Sequence, residues 1–221
     1  MKRSGGNLTN SREPASALSF AQMIERARRR DEEALMMLYQ RALPIIYRYV
    51  VARLGRPDVV EDVVADVFLV MIESIGDLRA GHEAGFYAWL IQIAQGKIAR
   101  VLSRQQRNQA RLTSLSLSQE GDGESLETAL TATDLESNPA ELQEWRETLQ
   151  ELGLALGSLT PDQQVVVIGR FLAGQSIEDL ARALNKKPGS VRALQFRALE
   201  TLAERLGLTR WTHSRGRGGQ R

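Results

Sequence analysis

The chain has 221 residues, 43% of them hydrophobic, and its 29 Lys and Arg against 27 Asp and Glu leave a net charge of only +2. That length suits one or two domains with real cores, and the absence of cysteine excludes both a disulfide framework and a thiolate metal site. No apolar run approaches a membrane span and the first residues lack a signal-peptide core, so the expectation is a cytoplasmic chain without membrane insertion.

Residues 1–19 read as a disordered N-terminal segment. From Phe20 to Arg107 there is almost no strand signal, and the stretch reads as a helical domain. Ala21–Arg29 fits a first helix. Asp31, Glu32 and Glu33 open a second, acidic residues suiting a first turn. It carries Ala34, Leu35, Leu38, Leu43, Ile46 and Val50 toward Leu54, and Pro44 is expected to kink or split it. Gly55-Arg56-Pro57 breaks the pattern. Asp58 is then expected to cap a third helix whose apolar face includes Val59, Val63, Val67, Val70 and Met71. Glu61, Asp62 and Asp66 gather with Asp58 on its first two turns. Compensation of the helix dipole accounts for the first acids, whereas Asp66 lies two turns in and equally suits a partner-binding face.

Gly76 to Gly85 reads as a loop, and a fourth helix runs from Phe86 to about Arg107. It begins apolar and ends basic, with Lys97, Arg100, Arg104 and Arg107. Phe86, Tyr87 and Trp89 precede those cations. Rings followed by cations suit melted or single-stranded DNA, where bases stack and phosphates are neutralised, and they equally suit an ordinary core. The charge then changes sign. Ala21–Arg111 holds 14 basic and 11 acidic residues, Leu112–Thr160 holds 1 and 10, and Pro161–Arg221 holds 11 and 5. Two basic blocks flank an acidic one, and residues 108–140, rich in Ser, Thr, Gly and acids, read as a flexible linker.

Residues 141–206 form the second expected domain. Within it Ile177, Leu180, Ala181 and Leu184 mark a short helix, Asn185-Lys186-Lys187 a polar turn, and Pro188 the first position of a longer helix. On that helix Val191, Leu194, Ala198 and Leu202 form an apolar stripe, leaving Ser190, Arg192, Phe196 and Arg197 off it. The pattern fits a solvated helical hairpin as well as a helix-turn-helix entering the DNA major groove. Residues 207–221 read as a basic, disordered tail. His82 and His213 lack ligand-like neighbours, and no acid pair, Ser/His set or glycine-rich phosphate loop has a working spacing. No metal, cofactor or catalytic residue is therefore expected. The fold class expected is all-α, with two helical domains joined by a flexible linker.

Three stretches then carry a resemblance: Glu61-Asp62-Val63-Val64-Ala65-Asp66-Val67-Phe68, Ala88-Trp89-Leu90-Ile91-Gln92-Ile93-Ala94, and Leu159-Thr160-Pro161-Asp162-Gln163-Gln164 with the helix-turn-helix after it. In that order they resemble bacterial RNA polymerase sigma factors of the extracytoplasmic-function type, which keep sigma regions 2 and 4. The resemblance implies a transcription initiation factor rather than an enzyme. It implies binding of core RNA polymerase, through the clamp coiled coil and flap, and of promoter DNA, with an anti-sigma factor as a further partner. Glu61, Asp62, Val63 and Asp66 would meet the polymerase. Tyr87, Trp89, Gln92, Lys97, Arg100 and Arg104 would meet the −10 element, and Lys187, Gly189, Ser190, Arg192, Phe196 and Arg197 the −35 element. The chain departs from the family at Ala65, Gly96, Arg100, Ser103 and Leu194, where glutamine, asparagine, aspartate, arginine and arginine are usual. The rival reading is a helix-turn-helix regulator whose N-terminal block dimerises or senses a ligand.

Overall fold

The computed structural model describes residues 18–115 and 139–208, and among them every regular element is helical. The N-terminal unit consists of α1 (Phe20–Arg28), α2 (Glu32–Leu54), α3 (Pro57–Ser74), a 3₁₀ turn (Ile75–Asp77) and α4 (Glu83–Leu115). The C-terminal unit consists of α5 (Pro139–Gly157), α6 (Pro161–Phe171), α7 (Ile177–Ala183) and α8 (Pro188–Arg205). The segments expected to be disordered, 1–17, 116–138 and 209–221, lie outside the described residues.

Most helix ends are set by short-range hydrogen bonding. Ser19 and Gln22 form a capping box on α1, and Thr160 and Gln163 form another on α6, each satisfying two otherwise orphaned amides. Asp31 accepts from the Ala34 N–H at 2.9 Å while Arg26 binds its carboxylate, which fixes the α1–α2 corner. Gly55 ends α2 in the left-handed conformation at φ 64°, a position that favours glycine. The third helix is capped two residues earlier than expected: Arg56 is the N-cap and Pro57 the first helical residue, so Asp58 is not its cap. His82 Nδ1 accepts the Gly85 N–H at 3.1 Å, which helps start α4 ahead of the expected Phe86.

Pro44 neither ends nor divides α2, which remains helical throughout. Its neighbours Ala42, Ile45, Ile46, Tyr49 and Val50 are all buried. Each fully buried aliphatic side chain contributes about 1.5–3 kcal/mol, and together these outweigh one missing backbone hydrogen bond. The fourth helix also runs further than expected, to Leu115, into the stretch read as linker, where no proline or glycine interrupts residues 108–115.

The two units are docked on each other. Val165 and Ile168 of α6 belong to the same apolar cluster as the α1–α4 core, while Ala52 of α2 belongs to the cluster of Leu156, Leu159, Val167 and Ala198. Polar contacts cross the same seam. The Tyr49 hydroxyl donates to Gln164 Oε1 at 2.5 Å, and Gln164 Nε2 donates to the Leu159 carbonyl at 3.0 Å. Arg53 donates to the Gly153 carbonyl at 2.5 Å, and Gln95 to the Pro161 carbonyl at 3.1 Å. A Cβ on Gly153 would lie 2.4 Å from the Ala52 carbonyl oxygen, so only glycine lets α5 approach α2 this closely.

Tyr49→Phe should cost about 1–3 kcal/mol, because it leaves the buried Gln164 oxygen without a donor. The measurements are chemical denaturation and small-angle scattering, with loosening of the seam read as a larger radius of gyration at constant helicity. Burial pushes the Tyr49 hydroxyl from its ordinary 10.0 up to about 12. The fold thus selects the protonated form. Its contribution is complete below pH 10 and is lost as pH rises through about 12.

Candidate nucleic-acid interface

Helix α3 buries Val60, Val63, Val64, Val67, Phe68 and Met71, which turns Glu61, Asp62 and Asp66 outward. Val63 is 4% exposed and packs in the core, so it presents nothing to a partner. The three acids are also unequal. Asp66 is held by Lys97 of α4, with Nζ 2.9 Å from its carboxylate, whereas Glu61 and Asp62 face solvent. Beside them a groove of about 510 Å³ opens between α2 and α3, lined by Tyr39, Leu43, Tyr47, Val64 and Phe68, with Arg48 and Glu61 supplying charge. Burial, and secondarily the Glu61 carboxylate, push the Tyr47 hydroxyl above its ordinary value. Further along α3, Leu69 and Ile72 stand exposed. The groove and these apolar residues escape a periodicity argument, because the groove is made by two helices and the exposed residues lie off the apolar stripe.

On α4 the aromatic cluster is core rather than stacking platform. Phe86 is fully buried and Tyr87 is 4% exposed. Phe20 of α1 lies 5.6 Å from Phe86 and 6.3 Å from Tyr87, and Phe86 lies 6.2 Å from Trp89, ring centre to ring centre. These tilted ring contacts close the first turns of α4 against α1. Tyr87 is therefore unavailable to stack on a base, and Trp89 is only partly exposed. The solvent stripe begins afterwards, with Gln92, Gly96, Arg100, Ser103 and Arg107 falling three to four residues apart and all exposed, and Arg104 beside them. Lys97 points elsewhere, toward Asp66, with its side chain 20% exposed.

In the C-terminal unit, the helix-turn-helix is built on a small core of Val166, Leu180, Ala181 and Val191. Ser176 caps α7 through the Asp179 N–H at 3.0 Å, and its hydroxyl also binds the Asp179 carboxylate. That hydroxyl, and then Arg182, hold the Asp179 carboxyl below its usual range. The turn passes through Asn185 at φ 52°, a left-handed position that asparagine tolerates. Lys186 pairs with Asp162 of α6 at 3.1 Å. On α8, Val191 and Ala198 are buried and Leu194 and Leu202 half-buried, while Lys187, Gly189, Ser190, Arg192, Phe196 and Arg197 are all exposed. Phe196, 65% exposed, continues the line of Arg192, and Leu199 extends it by one more turn. Arg192 is also paired with Glu178 of α7 at 2.8 Å.

Among the described residues no group of His, Cys, Asp and Glu is arranged to hold a metal ion, and no helix is long and apolar enough to cross a membrane. His213 lies outside the described residues.

Comparison with known proteins matches one stretch in each unit. Residues 38–108 match the family model for sigma-70 region 2, and residues 149–202 match that for sigma-70 region 4. The chain is 32% identical over 201 residues to the ECF RNA polymerase sigma factor BldN of Streptomyces coelicolor, covering 88% of this chain and 70% of the relative. It is 27% identical over 184 residues to the ECF RNA polymerase sigma-E factor of Escherichia coli, covering 81% and 90%. Among solved structures, that of CnrH in complex with the cytosolic domain of CnrY aligns with a TM-score of 0.51 at 19% identity, over 85% of this chain and 97% of that one, and supports the fold.

Gly96 tests how the exposed face of α4 is built. A Cβ there would meet nothing within 4 Å. Gly96→Ala should therefore stabilise the protein by about 1 kcal/mol through helix propensity alone. Asp66→Asn should cost less than about 1 kcal/mol, the range of a half-exposed ion pair. Urea denaturation of each variant measures both.

Proposed function

Starting from the fact that this chain belongs to the extracytoplasmic-function sigma factors of bacterial RNA polymerase, we propose a division of work among its surfaces. A sigma factor is an initiation factor, not an enzyme. It binds core polymerase and directs it to promoters. Residues 20–107 form the module that meets the polymerase and the −10 element, residues 141–206 the module that meets the −35 element, and 108–140 join them. The chain works in the cytoplasm, where the polymerase is, and an anti-sigma factor is its expected inhibitor.

The observation that carries this reading is the sorting of charge by helix. The acids Glu61 and Asp62 face solvent on α3, the cations Arg100 and Arg104 on α4, and Arg192 and Arg197 on α8. A protein partner rich in cations suits the first, and the phosphates and base edges of DNA suit the others. Asp66 and Lys97 hold each other, so each contributes less to its outward face than the resemblance implies. Gln92, one residue off the buried side of α4, and partly exposed Trp89 are the remaining candidates for a flipped or unstacked base. Ser190, Lys187 and Gly189, at the start of α8, suit phosphate through backbone N–H groups and a single cation.

The docked arrangement bears on the same reading. The −35 and −10 elements lie roughly 25 base pairs apart by their own labels, or roughly 85 Å along the duplex at about 3.4 Å per pair. Units sharing one apolar cluster cannot occupy both at once. The seam through Tyr49, Arg53 and Gly153 therefore opens when the chain joins the polymerase.

Glu61→Lys and Asp62→Lys together should weaken binding to core polymerase by about tenfold or more at low salt, with the difference shrinking as salt rises. Circular dichroism should not change. Arg100→Ala with Arg104→Ala should flatten the slope of log affinity against log salt on promoter DNA, by roughly one unit for each phosphate that those guanidiniums neutralise. Undiminished polymerase binding by the first pair would remove α3 from the interface.

A further inference from the structure

The ion pair between Glu178 and Arg192 is not needed to hold the fold. Both side chains are 61% exposed, and exposed pairs add little to stability. The backbone beneath it is nevertheless firm on both sides. Glu178 stands two residues before Leu180 and three before Ala181, which are buried, and Arg192 directly follows Val191, which is fully buried in the same small core. The start of α7 is locked in addition by the Ser176 cap and by the Ser176–Asp179 hydrogen bond. Residues 14 apart in sequence are thus set at a fixed separation across the turn.

The pair joins one atom to one atom: Arg192 Nη2 donates to Glu178 Oε1 at 2.8 Å. A guanidinium has five N–H donors in a fixed fork, so one such bond restrains the group and leaves an edge for a second partner. That remaining edge matches the O6 and N7 acceptors of a guanine.

We infer that Glu178 is a positioning residue for base recognition: it holds the Arg192 guanidinium oriented before DNA arrives, an inference that rests on the reading that Arg192 meets a base edge. Orientation in advance removes the cost of immobilising a long side chain on binding. The carboxylate also offsets the charge of Arg192, which weakens its attraction to phosphate in general relative to a correctly placed guanine. Glu178 thereby raises selectivity without adding a contact of its own to the DNA.

The test uses holoenzyme assembled from the full chain and core polymerase. Genomic fragments bound by the wild type supply a promoter, its upstream element is randomised, and bound and unbound pools are sequenced for Arg192→Ala, Glu178→Ala, Glu178→Gln and the double alanine variant. Arg192→Ala should flatten the preference at one position. Glu178→Ala should reduce that same preference by about three- to tenfold, while binding to the pool as a whole holds or rises. Glu178→Gln should fall between, since its amide oxygen still accepts the hydrogen bond without the charge. The double variant should match Arg192→Ala, the non-additivity of groups acting as one unit. If Arg192→Ala flattens the preference and Glu178→Ala leaves it at the wild-type value or sharpens it, Glu178 is not a positioning residue, although Arg192 still reads the base. If Arg192→Ala changes no preference, the base-reading role itself is wrong. Equal melting temperatures across the variants separate either result from misfolding.

Discussion

The close approach of α2 to the α5–α6 corner governs how everything else in the molecule is placed. Two helical units, each with its own caps and turns, meet where Gly153 removes the side chain that would separate α5 from the Ala52 carbonyl. That approach lets Tyr49 reach Gln164 and Arg53 reach the Gly153 carbonyl. Val165 and Ile168 then complete the apolar cluster of the first unit. The seam combines close packing with directed hydrogen bonds, so it is specific. It also extends over several helices, α2 packing on α5 and α4 on α6 and α7, and only the small core of Val166, Leu180, Ala181 and Val191 lies wholly within the second unit.

The same packing decides which side chains are free to act. Helix α1 lays Phe20 on Phe86 and Tyr87, and in doing so takes the aromatic start of α4 out of solvent. The exposed part of α4 is therefore the polar stripe that follows. On the other face of the unit, the burial of Val60, Val63, Val64 and Val67 turns the acids of α3 outward. The Lys97–Asp66 pair ties the cationic helix to the acidic one at the point where their surfaces adjoin. Both candidate surfaces are thus by-products of one core. A substitution inside that core would disturb both surfaces together.

In the C-terminal unit the cation pattern of α8 is refined by its neighbour α7. Arg192 and Arg197 look alike in sequence, as arginines off the buried stripe. In three dimensions Arg192 faces a carboxylate across the turn, while Arg197 bonds back to its own helix, to the Ala193 carbonyl at 3.2 Å. The two guanidiniums are therefore held in different ways, one by a carboxylate of the neighbouring helix and the other by a carbonyl of its own.

Local features of this protein are legible in the order of its residues. Spacing of three to four residues locates the helices, Ser, Thr, Asp, Pro and Gly locate most of their ends, and the acidic and basic runs locate the faces. These signals act over a few residues, and a neighbouring helix seldom overrides them. Where one did, at Pro44, burial of the residues on both sides kept the helix whole. The cap misplaced at Asp58 reflects neighbouring residues competing for one position, with Pro57 taking the first helical place. What lies between helices is settled only when they pack. That Tyr87 is core, that Asp66 holds Lys97, that Glu178 meets Arg192, and that Gly153 joins two units all depend on which helix faces a residue. Periodicity gives the side of a helix that is buried, but carries no information about what covers it, because that is fixed by residues up to 115 positions away.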